Sequence, residues 1–399
     1  MKLGKSIIIL GGDGYFGWSL GLAMANRTKQ HVILVDNLIK RRWEKEIKVR
    51  PLLPYQLPAQ RMRAYRKLFH KSNLAFEKAD IADYRQIARL IHKYQPRCII
   101  NAAQQPSAPF SMIGPEHAKT TFTTNIITNL NTLWAIALCD KNIFYLKLGT
   151  SGSYMGLDLD YIPNNRVALR FQYQGKTRRI RKSWLPMQTT DFYHQSKITD
   201  FEISEMCAQL WNLRILTVQQ SIIYGATIPE NKKPSHQSLA TRYNYDGVFG
   251  TVINRFICQT AIGHPLTVYG TGENEVGLIS LQDTVSHFLL FSNFRVPAGR
   301  HAVEHNYTIR LPIKKIAQVI AGIAHRPVIH SVPHPRYEKS QKLRTKVEQS
   351  ATVVINAKTL AAFTNEMKEL YEFTRRYKHD INAKIIMPHV FWRHKYSKQ

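Results

Sequence analysis

A glycine-rich turn directly after an apolar run near the N-terminus constrains this chain most strongly. The run Ser6–Leu10 is followed by Gly11, Gly14 and Gly17, in the spacing G-x-x-G-x-x-G. The first glycine of such a turn permits a tight bend, the second lets the backbone approach a pyrophosphate, and the third lets the next helix pack against the sheet. A second apolar run ends in Asp36, about 20 residues further on, where a carboxylate accepts hydrogen bonds from a ribose. The pattern predicts a dinucleotide site whose phosphates bind at a helix N-terminus.

Strand-like and helix-like segments alternate through the first half of the chain. The predicted strands are Ser6–Leu10, His31–Val35, Ala75–Lys78, Cys98–Ala102, Phe144–Leu148 and Leu213–Gln219. The predicted helices are Tyr15–Asn26, Asp83–Tyr94, Thr123–Cys139 and Phe192–Trp211. This alternation predicts an α/β fold, a Rossmann doubly wound parallel sheet with helices on both faces and ligands beyond the carboxyl ends of its strands.

The chain length allows two domains. We expect an NAD-binding domain over residues 1–225 and a smaller C-terminal α/β substrate-binding domain over residues 226–399, with some chain crossing back to the first sheet. Two insertions, at about 40–72 and 157–187, interrupt the alternation. We expect the first to be a basic loop or helix and the second a hairpin over the site.

The charge balance is strongly basic, with 56 lysines and arginines against 27 acidic residues and a net charge of +29. The basic residues concentrate near 40–71, 176–182 and 375–398. Such a field attracts nucleotides, phosphosugars, nucleic acid or acidic membrane surfaces, although a merely solvated basic surface is the alternative. No nucleic-acid-binding motif accompanies the charge, so we expect no specific nucleic-acid partner. Weak contact with an anionic membrane surface stays open.

The four cysteines lie far apart and form no C-x-x-C pair, which suits a reducing cytoplasm and disfavours a cysteine zinc site. No apolar run is long enough to span a bilayer, and the chain begins almost at once with a strand rather than a signal peptide. We therefore expect a cytoplasmic protein with no metal.

A tyrosine and a lysine four residues apart, Tyr193 and Lys197, lie on one face of a predicted helix. A nearby ammonium group lowers the pKa of a phenol, so that the tyrosinate can accept a hydroxyl proton while a hydride leaves the same carbon. Thr150 adds a hydroxyl at the end of the fifth predicted strand. Together with the glycine turn, these residues indicate dehydrogenase chemistry.

These motifs make the chain resemble the extended short-chain dehydrogenase/reductases, the NAD-dependent epimerase/dehydratase family, over nearly its whole length. Within that family it is most similar to the UDP-sulfoquinovose synthases of sulfolipid biosynthesis. The matching stretches are GGDGYFGW at 11–18, SAPFSMI at 107–113, KLGTSGSY at 147–154, FYHQSK at 192–197 and YDGVFGTVINRF at 245–256. The resemblance implies NAD as a retained cofactor, a UDP-sugar substrate and a homodimer formed through helices near 118–140 and 192–212.

The resemblance also implies individual roles. Thr150, Tyr193 and Lys197 would be catalytic, with His194 as an auxiliary acid or base. The residues expected to hold NAD are Gly11, Gly14, Tyr15, Phe16, Gly17, Asp36, Asn37, Lys40, Arg41, Asp80, Ile81, Ala102, Asn125, Tyr193 and Lys197. Those expected to line the nucleotide-sugar pocket are Gln105, Ser107, Thr150, Tyr193, Gln220, Thr251, Asn254, Arg255, Pro265 and Leu266.

Three positions depart from the pattern of the synthases. Ser153 stands where they carry a glutamate, and Pro106 and Val276 stand where they carry arginines. A serine is a poor proton acceptor at neutral pH, and a lost arginine removes a strong phosphate contact. Three functions therefore stay open: conversion of UDP-glucose and sulfite to UDP-sulfoquinovose through a 4-keto sugar, C4 or C5 epimerisation of a UDP-sugar, and binding of NAD and a nucleotide with weakened catalysis.

Overall fold

The computed structural model describes residues 6–155, 161–324, 329–335, 346–347 and 357–392. Its strands are β1 (Ser6–Leu10), β2 (His31–Asp36), β3 (Leu74–Lys78), β4 (Cys98–Asn101), β5 (Phe144–Leu148), β6 (Tyr161–Ile162), β7 (Val167–Tyr173), β8 (Lys176–Ser183), β9 (Arg214–Gln220), β10 (Ile222–Tyr224), β11 (Leu266–Tyr269), β12 (Glu275–Ser280), β13 (Arg300–Asn306), β14 (Ile309–Pro312), β15 (Ile329–Val332) and β16 (Lys346–Val347). Its α-helices are α1 (Tyr15–Arg27), α2 (Ile39–Glu46), α3 (Pro58–Phe69), α4 (Tyr84–Tyr94), α5 (Ala108–Ser111), α6 (Pro115–Phe122), α7 (Thr128–Cys139), α8 (Phe192–Trp211), α9 (Val252–Ala261), α10 (Leu281–Phe291), α11 (Ile313–Ile323), α12 (Leu360–Arg375) and α13 (Ala383–Ile386).

Seven parallel strands form the main sheet, in the order β13-β9-β5-β4-β1-β2-β3. The central strands are apolar and buried on both faces, which is typical of a parallel sheet covered by helices on each side. The predicted doubly wound α/β sheet is therefore confirmed. Strand β13 comes from the C-terminal half and pairs with β9 along its whole length.

The first insertion is helical and belongs to the main body rather than standing out from it. Helix α3 connects β2 to β3, with Arg61, Met62 and Tyr65 buried. The helix predicted from Thr123 begins earlier, at Pro115, because a proline fits the first helical turn. A π-helical segment, Thr123–Ile127, then joins α6 to α7. Such wide turns are frequent at functional sites.

The second insertion contains an antiparallel hairpin of β7 and β8. Both residues of its turn have positive φ, 49° at Gln174 and 69° at Gly175, as two-residue hairpin turns of type I′ require. Just after β8, Trp184 packs edge-on against Phe201 of α8 and donates to Glu205 at 3.1 Å. The base of the hairpin is therefore fixed on the C-terminal half of α8, and residues 156–160 before it lie outside the described part.

The C-terminal half builds a second apolar core around α9, α11 and α12, together with a small sheet of β10, β12 and β14 and the pair β11–β15. Helix α10 returns to the main body, where Phe288 stacks edge-on with Phe16 of α1 at 4.7 Å. Among the described residues, no helix is both long and apolar enough to cross a membrane.

Buried His305 on β13 is expected to make the protein acid-sensitive. Burial, followed by the charge of Arg310, lowers the pKa of His305 to about 4, whereas an unfolded histidine titrates near 6.5. Between these values the unfolded state binds more protons, so the free energy of unfolding falls as the pH falls, by up to about 1.4 kcal/mol per pH unit. We expect the free energy of unfolding, measured with urea, to depend less on pH between these values in His305→Gln than in the control His31→Gln, which changes an exposed histidine. Identical pH slopes for the two variants would refute this assignment.

Candidate active site

The side chains of Thr150 and Tyr193 meet at the carboxyl end of β5. Helix α8 begins there because Asp191 caps it, accepting the backbone N–H of His194 at 2.8 Å. This start places Tyr193 in the first turn, where its side chain is hydrogen-bonded to Thr150. Burial, and to a lesser degree Asp191, raises the pKa of Tyr193, while the Thr150 hydrogen bond opposes the rise. Thr150 is buried and Tyr193 is partly exposed, so the two hydroxyls can hold one substrate oxygen that reaches them from solvent.

Lys197 lies one turn further along α8 and is buried. Its ammonium group donates to the carbonyl of Leu148 and to Gln104. Burial lowers the pKa of Lys197 to about 7, Asp200 opposes this shift, and Lys147 adds to it. The pKa of this lysine therefore lies well below that of an exposed lysine, and Asp200 is the neighbour that favours its charged form.

A buried charge cluster behind Lys197 was not predicted from the sequence. Asp200 lies 2.6 Å from Lys147 and 3.7 Å from Lys197, and its second oxygen accepts from Gln104 at 3.2 Å. One carboxylate thus stands between two lysines. The available signals were a lysine within the apolar run of β5 and an aspartate three residues after Lys197 on the same helix.

His194 and Asp191 form a second buried pair beside the tyrosine. His194 Nδ1 lies 2.6 Å from an Asp191 carboxylate oxygen, and both residues are less than a tenth exposed. A Cβ at Gly152 would lie 2.3 Å from His194 Nε2, so glycine is required where the imidazole approaches the turn after Thr150. The pairing of Nδ1 with Asp191 leaves Nε2 directed toward that turn. The pairing of Asp191 with His194 was not predicted, because an aspartate just before a helix indicates only a helix cap.

Ser153 lies in the same turn and is 1% exposed. Its hydroxyl donates to the carbonyl of Thr150 at 3.1 Å. No carboxylate therefore stands at this position, and the ionisable pair nearest to it is His194 with Asp191.

Asn125, in the π-helical segment, ties the site together. Its amide oxygen accepts the N–H of Gln105 at 2.8 Å, and its amide nitrogen donates to Ser196 of α8 at 2.8 Å. Ser111 of α5 accepts the backbone N–H of Tyr193 at 3.1 Å. Several elements thus converge on the first turn of α8 and hold it in place.

The glycine turn after β1 has the shape of a phosphate cradle. Gly11 has φ +83°, and a Cβ there would lie 2.5 Å from the carbonyl of Ala102. A Cβ at Gly17 would lie 2.2 Å from the carbonyl of Gly11. Gly14 begins α1 without a side-chain cap, which leaves the N–H groups of the first turn for an anion. The residues present therefore fit a dinucleotide pyrophosphate.

Asp36, at the end of β2, accepts the N–H groups of Asp13 at 2.9 Å and Leu38 at 2.7 Å. Asp80 lies beside it, since the N–H of Ala79 donates to the carbonyl of Asp36 at 3.1 Å. Arg41 is turned to Asp13 at 2.8 Å instead of standing free beside the ribose position. Asn37 accepts the N–H of Ile39 with its own side chain.

Asp13 is the centre of a buried ionic cluster that the sequence did not reveal. Besides Arg41, it pairs with Arg61 and with Arg242, the latter at 2.6 Å. The guanidinium groups of these arginines lie 4.3–4.6 Å from the ring centre of Tyr55. Because Arg242 is 229 positions from Asp13, the cluster fastens the second half of the chain to the glycine turn.

Other predicted cofactor residues contribute through their backbone or their packing. The ring of Phe16 is in the core, Ile81 is buried, and Tyr15 donates to the carbonyl of Gly225 at 2.6 Å. Lys40 lies over the ring of Phe249 at 4.9 Å. Burial lowers the pKa of Lys40 to about 8, and Glu44 opposes that shift.

The predicted substrate residues divide into two groups. Asn254 lies next to the glycine turn, because it accepts the N–H of Gly225, which also binds Tyr15. Arg255 donates to Thr267 at 3.3 Å and lies 4.7 Å from the ring of Tyr269. The buried hydroxyl of Thr251 has no hydrogen-bond partner among the described residues.

The remaining predicted substrate residues have partners or packing within the protein. The side-chain amide of Gln105 donates to the carbonyl of Ser107 and accepts the backbone N–H of the same residue. The Ser107 hydroxyl donates to the carbonyl of Val248 at 2.6 Å. Gln220 accepts from Asn306 at 2.9 Å. Leu266 is buried in the second core, next to Pro265. Across the described residues, no group of three or more His, Cys, Asp or Glu side chains is arranged to hold a metal ion.

Residues 7–303 match the model of the NAD dependent epimerase/dehydratase family. The chain belongs to that family. It is 28% identical to the chloroplastic UDP-sulfoquinovose synthase of Spinacia oleracea, over 98% of this chain and 79% of that protein. It is 31% identical to the UDP-sulfoquinovose synthase of Sulfolobus acidocaldarius, over 84% of each.

Solved structures of the epimerase/dehydratase fold are also similar. UDP-glucose 4-epimerase of Thermotoga maritima superposes with a TM-score of 0.65 at 16% identity, covering 93% of this chain and 99% of that one. UDP-glucuronic acid 4-epimerase of Bacillus cereus, solved with UDP-glucuronic acid and NAD, gives the same TM-score and coverage at 15% identity. The resemblance read from the sequence, the enzymatic class and NAD as the family's cofactor are thereby confirmed.

Proposed function

We propose that this member of the epimerase/dehydratase family oxidises C4 of a UDP-sugar and then carries the 4-keto sugar through proton chemistry at C5, in a reaction of the UDP-sulfoquinovose synthase type. The observation that carries the proposal is the Tyr193–Thr150 hydroxyl pair next to buried Lys197, on the same sheet edge as the glycine cradle. The UDP-sulfoquinovose synthases of Spinacia oleracea and Sulfolobus acidocaldarius, which match most of this chain, support this type of reaction. UDP-glucose and sulfite are the reactants that the resemblance implies.

In the first step, the Tyr193 oxygen accepts the proton of the C4 hydroxyl, while Thr150 donates a hydrogen bond to the same sugar oxygen. The glycine turn and Asp36 would hold NAD, which would supply the hydride acceptor for oxidation at C4 and the hydride donor for its later reduction. Protonated Lys197 stabilises the phenolate, since an ammonium group in a buried site interacts strongly with an anion. Asp200 keeps that ammonium group in place.

In the second step, the 4-keto group makes the C5 proton acidic. Ser153 cannot accept this proton at neutral pH, whereas the Nε2 of His194 can. Asp191 accepts from Nδ1 and so fixes the tautomer in which Nε2 carries the lone pair. His194 then gives the proton to the C6 hydroxyl, which leaves as water, and sulfite adds to C6 of the resulting 5,6-alkene while C5 takes up a proton. When no group leaves, the proton returns to C5. We assign Asp191 as the positioning residue that compensates for the missing glutamate.

The second candidate function is epimerisation of a UDP-sugar at C4 or C5, which Ser153 favours because no group needs to leave C6. It shares the oxidation at C4, and the two functions differ in their dependence on sulfite. A chain that only binds NAD and a nucleotide is a third possibility, favoured by Pro106 and Val276 at the expected arginine positions. The presence of Thr150, Tyr193 and Lys197 together argues against this possibility.

Mass spectrometry of the products from UDP-glucose, with and without sulfite, tests the proposal. A sulfonated UDP-sugar that forms only with sulfite is the expected result. An isomer of UDP-glucose formed equally in both reactions would favour the epimerase. Unchanged UDP-glucose, with NAD bound, would contradict synthase activity on this substrate.

An apolar face on α7 and α8 leads us to propose a homodimer. Trp134, Leu138, Met206 and Leu210 are 43–66% exposed, and Trp134 lies 4.4 Å from Trp211 between the two helices. A second copy of the chain would cover this face. We expect Leu138→Glu/Leu210→Glu to weaken dimerisation by at least about 100-fold, because unpaired charges are costly to bury. Sedimentation equilibrium measures this, with Leu290→Glu on α10 as the control; a monomeric wild type would contradict the proposal.

A further inference from the structure

The β7–β8 hairpin carries exposed charges of one sign only. Residues 167–183 contain six cationic side chains and no acidic one. The six are Arg170, Lys176, Arg178, Arg179, Arg181 and Lys182, and all are exposed. None of the reaction steps above uses this hairpin.

The same hairpin exposes large apolar side chains. Phe171 is 47%, Tyr173 58% and Ile180 46% exposed. The register places Leu169 opposite Ile180, Phe171 opposite Arg178, and Tyr173 opposite Lys176. Because side chains of a strand alternate between faces, these three pairs lie on one face of the ribbon. Arg170 and Arg179 oppose each other on the other face.

The aromatic and apolar side chains thus lie on one face near the tip, and cationic side chains lie both beside them on that face and on the opposite face. The Gln174–Gly175 turn fixes the register, so the aromatic rings and the basic groups hold constant positions relative to each other. Aromatic rings with adjacent lysines and arginines suit the boundary between water and lipid, where rings enter the headgroup region and cations meet anionic headgroups. A nucleic-acid groove would match the cations but would leave Phe171 and Ile180 without apolar partners.

We propose that the hairpin docks this enzyme onto an anionic lipid surface. The tip inserts Phe171 and Tyr173 among the headgroups, while Arg178 and Lys176 beside them pair with lipid phosphates. The net charge of +29 draws the whole molecule toward such a surface and the hairpin fixes its orientation.

The fold allows docking without blocking the reaction. The base of the hairpin is held at Glu205 by Trp184 and Arg166, twelve positions after Tyr193 on α8. At a helical rise of about 1.5 Å per residue, these positions are separated by about 18 Å along the helix. Because the anchor of the hairpin lies this far from Tyr193 along α8, docking through the hairpin is compatible with access of soluble substrates to the site.

Flotation of the full-length protein with lipid vesicles tests the proposal. Vesicles of phosphatidylcholine with a minority of phosphatidylglycerol are compared with phosphatidylcholine alone, at low and at physiological salt. We expect binding only to the anionic vesicles, weakened by salt because exposed charges are screened. Phe171→Ser/Tyr173→Ser and Arg178→Glu/Arg179→Glu are each expected to lower vesicle binding about tenfold or more, without loss of bound NAD.

The matched control is Arg63→Glu/Lys67→Glu on α3, which changes two exposed cations by the same total charge. We expect it to retain most of the binding. Failure of the wild type to bind anionic vesicles at low salt would overturn the proposal. So would equal losses for the control and for both hairpin variants. Tight binding of duplex DNA, lost in the hairpin variants while vesicles stay unbound, would assign the hairpin to nucleic acid and refute lipid docking.

Discussion

Replacing Tyr193 by phenylalanine is expected to lower turnover about 1,000-fold, the middle of the range for loss of a general base. The variant keeps the ring, which is partly buried and lies 4.7 Å from the ring of His194, and loses only the hydroxyl that bonds Thr150. The fold and the glycine cradle are untouched by this change, so bound NAD and the melting temperature should remain close to those of the wild type. Product formation from the accepted UDP-sugar is the measurement.

The control for Tyr193→Phe is Tyr154→Phe, which removes the hydroxyl of a buried tyrosine four positions beyond Thr150. We expect the control to keep most of the activity. Equal activity of Tyr193→Phe and the wild type would remove Tyr193 from the chemistry. Equal losses in both variants would show a general effect of deleting buried hydroxyls.

The second large effect is expected at the His194–Asp191 pair, and it should separate two steps of one reaction. His194→Gln should slow exchange of the C5 proton with solvent about 100-fold or more, within the range for a lost acid–base group. Oxidation at C4 should change little, because Tyr193 and Lys197 remain. Deuterium incorporation at C5 from heavy water and the absorbance of reduced nicotinamide in a single turnover report the two steps separately.

Asp191→Asn tests the positioning role of the carboxylate. Asparagine is as good a helix cap as aspartate, so α8 should begin at the same residue. The change removes the charge that holds His194 Nδ1–H, and we expect C5 exchange to fall about tenfold with an unchanged rate of C4 oxidation. Asp191→Ala, which also removes the cap, gives the comparison for structural damage. Equal slowing of both steps in Asp191→Asn would contradict the positioning role.

The main sheet could be predicted from the sequence because its central strands are continuous apolar runs separated by short connections. Strand β13 could not, since Arg300, His301, Glu304 and His305 interrupt any apolar pattern. Its polar side chains are buried only through partners that are remote in sequence, as His301 with Thr217 at 2.7 Å shows. The helix before Thr123 was missed because a proline reads as a breaker unless its place in the first turn is known.

The candidate site was predictable where motifs have fixed spacing, as in the glycine turn and the Tyr193–Lys197 pair. The roles of Lys147, Asp191 and Asp200 in the site could not be predicted, because a single charged residue in a sequence is usually exposed to solvent. Their significance arises from burial and from pairing across elements, which spacing does not encode. The same holds for Asp13, whose partner Arg242 lies in the other half of the chain.

Oxidation of a UDP-sugar at C4 can be observed directly as the absorbance of reduced nicotinamide. The NAD-loaded protein is mixed rapidly with each of a panel of UDP-hexoses, and this absorbance is followed. At least one UDP-hexose, UDP-glucose first among them, should produce a transient rise in the wild type that Tyr193→Phe abolishes. The absence of any rise with every UDP-hexose, while NAD is bound and the fold is intact, would contradict oxidation at C4 and with it the proposed function.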